Sequence, residues 1–136
     1  MKHKLTKERE FSQKERKKIY ERDHGRCFFC SMRYHMEGAT LFSLQIDGIM
    51  HYIPRSRNGL GIEENGAIGC KWHHRMLDNG SSGRREEMLA IFRRYLQSHY
   101  KDWDESKLTY NKWSCFEEVR NVYKDEQIES THKGGL

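Results

Sequence analysis

Two pairs of soft metal ligands, Cys27-Phe-Phe-Cys30 and Cys70-Lys-Trp-His73, repeat the same spacing of two intervening residues. A knuckle of that spacing aims two ligand atoms inward, and two knuckles together complete the tetrahedron that zinc prefers. The long stretch between them must fold back on itself for the pairs to meet, so this pattern constrains the chain before any periodicity is read. Composition strengthens the point. With 35% hydrophobic and 33% charged residues in 136, the core is modest and needs a staple. Zinc ligation releases on the order of 10 kcal/mol in model peptides, enough to supply one.

The alternative uses of cysteine are a disulfide framework or a redox pair. No apolar signal stretch follows Met1, and residues 2–26 are dense in Lys, Arg and Glu. The expected compartment is therefore cytoplasmic, with cysteines reduced and available to a metal. No βαβ pattern surrounds Cys27 and Cys30, which argues against redox chemistry. Cys115, isolated before Phe116, reads as a core thiol. No run is long and apolar enough to cross a bilayer, so no membrane partner is expected.

The organisation is read as one domain over 1–136, with a core at 24–80, a basic helix at 12–23 and a helical extension at 84–124. Ser12-Gln-Lys-Glu15 is a capping box. Phe11, Ile19 and Tyr20 would form the buried side of the first helix, leaving Lys14, Lys17 and Lys18 to solvent or phosphate. From Leu41 to Ile53, short apolar runs flank Asp47-Gly48, a hairpin-turn signal, and put His51 on a strand that Pro54 ends. Arg55 to Glu64 reads as a loop, with turn chemistry at Asn58-Gly59. A short strand at Ala67 to Cys70 and a short helix from Lys71, closed by Asp78-Asn79-Gly80, follow. Met88, Leu89, Ile91, Phe92, Tyr95, Leu96 and His99 recur at helical spacing and predict a packing helix over 84–99. Trp103, Leu108 and Tyr110 suggest a packed connector. Trp113, Phe116, Val119 and Tyr123 suggest a final helix before a polar tail.

Twenty-five Lys and Arg against 20 Asp and Glu give a net charge of +5 and favour a polyanionic partner. The excess is concentrated early: residues 1–26 hold ten basic and five acidic side chains. Three further residues stand at informative spacings. They are His51, within His51-Tyr-Ile-Pro54-Arg55-Ser56, Asn65 five residues before Cys70, and His74 directly after His73.

The order from Cys27 to Asn79 resembles the HNH endonuclease family in its zinc-knuckle variant, known from phages and mobile elements. The resemblance implies an α+β fold with a small ββα-metal core, also called a His-Me finger, carrying a zinc knuckle and flanked by helices. It implies structural zinc on Cys27, Cys30, Cys70 and His73, and a catalytic Mg²⁺ or Mn²⁺. Within it, His51 would be the general base toward water, Asn65 would orient that base, and His74 would hold the catalytic ion. DNA would be the substrate, with Arg55, Arg57, Lys14, Lys17 and Lys18 on its phosphates. A neutral imidazole suits the base's task.

In one position the chain departs from the family. The residue before the base is often Asp or His and ligates the ion, but here it is Met50, a soft thioether poorly suited to Mg²⁺. Another oxygen must serve. Asp78, four residues after His74, is the first candidate, with Asp47, Glu63 and Glu64 behind it. Two rivals come from other functional classes: a zinc-knuckle nucleic-acid-binding module without catalysis, and a regulatory protein on the same scaffold.

Overall fold

β1 (Ile46–His51) and β2 (Gly66–Cys70) form an antiparallel pair against which the helices pack. The computed structural model describes residues 8–80 and 83–110. The register sets Ile49 opposite Ile68, Met50 opposite Ala67 and His51 opposite Gly66. Side chains alternate across a strand, so β1 serves two sides. Met50 enters the larger core with Phe29, Phe92 and Leu96, whereas Ile49 joins Phe11, Ile19 and Ile68 in a smaller one. His51 shares the Ile49 side, its ring 4.5 Å from that of Phe11.

Asp47-Gly48 does not make the expected hairpin turn. It lies inside β1, where pairing passes from Ile46 opposite Cys70 to Gly48 opposite Gly69 and leaves Asp47 as the extra residue of a bulge. Gly48 takes a φ of +142°, which glycine adopts without a Cβ penalty. A hairpin would need a strand upstream, but Thr40 and Ser43 close a turn on each other through reciprocal hydrogen bonds of 2.7 and 3.1 Å. Leu41 and Phe42, expected to open the strand, are 90% and 68% exposed on that turn. Pro54 also does not end β1, which stops at His51.

α1 (Gln13–Arg22) begins where the capping pattern puts it, with Ser12 Oγ accepting from the Glu15 N–H at 3.2 Å. The Glu15 carboxylate does not complete the box; it accepts from the Glu63 N–H at 2.8 Å. Ile19 is fully buried, but Tyr20 is 38% exposed, because one residue further along turns the side chain about 100° around the axis. The helix ends in a buried ion pair. Arg22 Nε donates to Asp23 Oδ1 at 2.8 Å, Asp23 Oδ2 accepts from the Ile68 N–H at 2.9 Å, and Arg22 Nη2 donates to the Gly66 carbonyl at 2.6 Å. Tyr95 Oη also donates to Asp23. The otherwise open edge of β2 is thereby satisfied by side chains.

α2 (Phe28–Ser31) is a single turn, and α3 (Lys71–Asn79) follows β2 without a loop and stops at Gly80 in the left-handed region. α4 (Arg85–His99) buries Met88, Phe92 and Leu96, one face at i, i+4 and i+8, against Phe28 and Phe29. After it, Leu108 is buried and its carbonyl accepts from the Leu60 N–H at 2.8 Å, while the Tyr110 N–H donates to the Asn58 carbonyl at 2.6 Å. The connector thus clamps the loop between the strands. The final helix proposed around Trp113, Phe116, Val119 and Tyr123, the Cys115 thiol and the end of the 84–124 extension lie outside the described residues. No described helix is long and apolar enough to cross a membrane.

Candidate functional site

Cys27, Cys30, Cys70 and His73 are drawn together by three elements. Cys27 is the N-cap of α2 and Cys30 lies within it three residues on, which puts both on one side of the turn; Cys70 caps α3, and His73 lies in its first turn. Their ligand atoms all lie within 4.8 Å of one another, and among the described residues this is the one group of three or more such side chains that could hold a metal ion. His73 Nδ1 stands 3.6, 3.4 and 3.3 Å from the sulfurs of Cys27, Cys30 and Cys70, and Cys30 Sγ is 3.6 Å from Cys70 Sγ. With metal–ligand bonds of about 2.3 Å to sulfur and 2.0–2.1 Å to nitrogen, the edges of a tetrahedron are about 3.5–3.8 Å. The cluster could therefore hold a zinc ion with little rearrangement.

The surroundings are those a zinc ligand set needs. His73 Nε2 lies 2.5 Å from the Tyr34 carbonyl, which can only accept; the ring proton is therefore on Nε2, and Nδ1 is free to ligate. The His73 N–H donates to Cys70 Sγ at 3.3 Å, at the positive end of α3. Cys70 is pulled down to about 3, first by its hydrogen bond with Cys27, while burial pushes Cys30 up to about 11 and the bond to Cys70 pushes Cys27 up as well. One thiolate is already favoured, and a metal would displace the remaining thiol protons.

His51, Asn65 and His74 have separate environments. His51 is partly buried, with Nε2 2.8 Å from the Arg9 carbonyl. Burial lowers its pKa from the ordinary value; the Arg9 hydrogen bond works the other way, Arg55 and His74 add to the lowering, and Asp78 opposes it. His51 is thus within electrostatic reach of His74 and Asp78. Asn65, fully buried, does not spend its amide on the His51 ring. Its Oδ1 accepts from the Ile53 N–H at 2.8 Å, and its Nδ2 donates to the carbonyls of Ile53 and Leu60 at 3.1 and 2.8 Å. It pins the loop that follows His51 at Ile53 and Leu60.

His74 stands between two carboxylates. Asp78 Oδ2 is 3.2 Å from Nε2, and Asp47 Oδ2, brought in by the β1 bulge, is 2.9 Å from Nδ1. Nδ1 is buried yet makes no hydrogen bond, because the Asp47 oxygen lies close but out of line. The two carboxylates approach opposite sides of the ring. Met50 is fully buried in the larger core and takes no part in this face. Glu63, considered as an oxygen donor, is engaged by Lys18 at 3.5 Å and by the Tyr100 hydroxyl at 3.0 Å.

The basic residues divide likewise. Lys14 and Lys17 are exposed on α1, whereas Lys18 is paired with Glu15 at 3.4 Å as well as with Glu63. Arg55 and Arg57 lie on an exposed helical turn at Arg55–Arg57, with Arg55 Nη2 3.8 Å from Glu10. Two groups of the site have no sequence signal at all: the carbonyls of Arg9 and Tyr34, which orient His51 and His73. No family model matches this chain, and neither the curated proteins nor the solved structures contain a match to it.

Proposed function

We propose that this chain is a zinc-stabilised, divalent-metal-dependent endonuclease of the HNH type, built on a ββα-metal core and hydrolysing DNA phosphodiester bonds. The observation that carries the reading is the pairing of His74 Nδ1, buried and without a hydrogen bond, with an Asp47 oxygen 2.9 Å away. Adjacent ligands of an octahedral ion at about 2.1 Å lie about 3.0 Å apart, so this spacing suits a shared divalent cation. Asp47 and His74 would hold it, and Asp78, on the other ring nitrogen, would not share it through His74. Such an ion, when bound, polarises the phosphate and stabilises the leaving oxygen.

His51 supplies the proton chemistry. A carbonyl can only accept, so the Arg9 contact keeps the proton on Nε2 and leaves the Nδ1 lone pair to take a proton from water. Burial keeps the ring neutral. Asn65 holds the loop after His51, and Arg55 and Arg57 on that loop would contact phosphates.

Nicking of supercoiled plasmid by the purified chain with Mg²⁺ or Mn²⁺ tests the reading. His51→Ala should lower the rate roughly 10²- to 10⁴-fold with zinc content unchanged. Unimpaired cleavage by that variant would remove His51 as the base. A second reading is favoured by the absence, among the described residues, of any three-ligand cluster besides the cysteine one. On it the chain binds nucleic acid without cutting. Salt-dependent DNA affinity with no cleavage over a range of metals would select it.

A further inference from the structure

A second face of α3, next to the one that carries His74 and Asp78, borders a cleft of about 250 Å³ whose lining includes Phe42, Lys71, Trp72, Arg75 and Met76. The lining includes two cations and no carboxylate, in a chain with 20 acidic residues. Phe42 is 68% exposed, and the Lys71 ammonium sits 4.0 Å from its ring centre while also donating to Gln45 Oε1 at 3.3 Å. The turn that presents Phe42 is locked by the Thr40 and Ser43 hydrogen bonds, and the Trp72 indole is anchored to the His35 carbonyl at 2.9 Å. The aromatic platform is therefore held in place.

The Phe42 ring is largely open to water apart from the Lys71 ammonium, and the charges around it select what can cover it. The occupant must be flat and apolar where it meets Phe42 and anionic where it meets Lys71 and Arg75. An unpaired nucleotide has both properties in one unit, since a base stacks on an aromatic ring while its phosphates meet cations. In a duplex the base faces are covered by their neighbours and cannot stack on Phe42.

We propose that this cleft docks an unpaired nucleotide of a DNA strand, so that α3 presents the strand to the neighbouring His74 face. The proposal rests on the nucleic-acid reading of the preceding subsection and names a contact which that reading does not contain. Lys71 and Arg75 lie one helical turn apart on α3, next in line to His74, which gives the backbone a path between cleft and site.

The experiment is fluorescence anisotropy of the full chain with a labelled oligothymidylate of about 12 nucleotides and a duplex of the same length, over several salt concentrations. Phe42→Ala should weaken single-strand binding roughly tenfold, leave duplex binding unchanged and leave the salt dependence intact, because stacking releases no counterions. Phe42→Tyr should restore affinity. Arg75→Ala should flatten the salt dependence by about one phosphate contact. Phe42 is exposed, so these variants are expected to fold, and equal thermal midpoints check that. Wild-type single-strand affinity in Phe42→Ala overturns the proposal, as does a loss confined to an oligoglutamate peptide, which would mark a protein partner. Stacking through Phe42 without plasmid cleavage leaves the docking site standing and removes the endonuclease reading. Cleavage with no effect of Phe42→Ala on binding does the reverse.

Discussion

His74 meets a carboxylate at each ring nitrogen, and the two are not equivalent. Asp47 faces the buried Nδ1 from a bulge, a backbone feature held by the strand pair, whereas Asp78 is a mostly exposed side chain one turn along the same helix. Asp47→Asn should therefore raise the Mg²⁺ needed for half-maximal cleavage about tenfold or more, and Asp78→Asn much less; the reverse order in a metal titration would assign the ion to Asp78. His51 makes a second prediction at this scale. Its pKa in the folded chain is depressed, first by burial, so the neutral base persists below the ordinary value of about 6.5. The acid limb of kcat/KM should fall below that value. Stability shares this dependence: the contribution of the depressed His51 pKa is fully present above about pH 6.5 and is lost as pH falls below that value through the lower folded pKa. Lys18, already satisfied by Glu15 and Glu63, is expected to be silent in DNA binding, so Lys18→Ala should not change the salt slope while Arg57→Ala lowers it.

Between β1 and β2 the chain makes a loop with no regular structure of its own beyond short helical turns, and three neighbours hold it. Asn65 bonds its start at Ile53 and its middle at Leu60, the 108–110 connector clamps Asn58 and Leu60, and the Glu8 carbonyl accepts from the Gly61 N–H at 2.9 Å. Close packing requires glycine here: a Cβ on Gly59 would lie 1.7 Å from the Ile53 carbonyl oxygen. Asn65→Ala would break three hydrogen bonds and strand the Ile53 N–H without its acceptor, a cost of about 2–4 kcal/mol. Hydrogen exchange checks this directly. The Ile53 amide should exchange faster in the variant while amides within α4 keep their protection relative to the global stability. Equal slowing or quickening everywhere would mean that Asn65 acts on the whole fold and not on the loop.

For the molecule as a whole, the Cys27, Cys30, Cys70 and His73 cluster is continuous with the larger core, sharing it with Phe28, Phe29, Met50 and Phe92. A metal there would join α2 to the β2–α3 junction across a long loop, and its binding energy would be folding energy. The chain should contain one zinc per molecule when isolated without added metal, and a chelator should lower its thermal midpoint in a zinc-reversible way. Cys30→Ser should do the same in part. Metal uptake displaces thiol protons, so retention should weaken as pH falls. A metal-free chain of unchanged thermal midpoint would show that the core suffices without the ion.

Local spacing determined what the sequence made legible. The two ligand pairs, the Ser12 cap, the α3 stop at Gly80 and the buried face of α4 each depend on residues within a few positions of one another, and a one-dimensional pattern records those. The α+β class follows from the same signals. What the tertiary structure alone decided depends on partners far apart in the chain. Asp47-Gly48 has the composition of a turn, but pairing with Cys70 and Gly69 made it a bulge that delivers a carboxylate to His74. Met50 looked like a ligand out of place, yet strand alternation sends it into the core. Lys18 looked free until Glu63 arrived from the loop. The Arg9 and Tyr34 carbonyls were illegible for a simpler reason: every residue carries a backbone carbonyl, so nothing in the sequence distinguishes the two that orient His51 and His73.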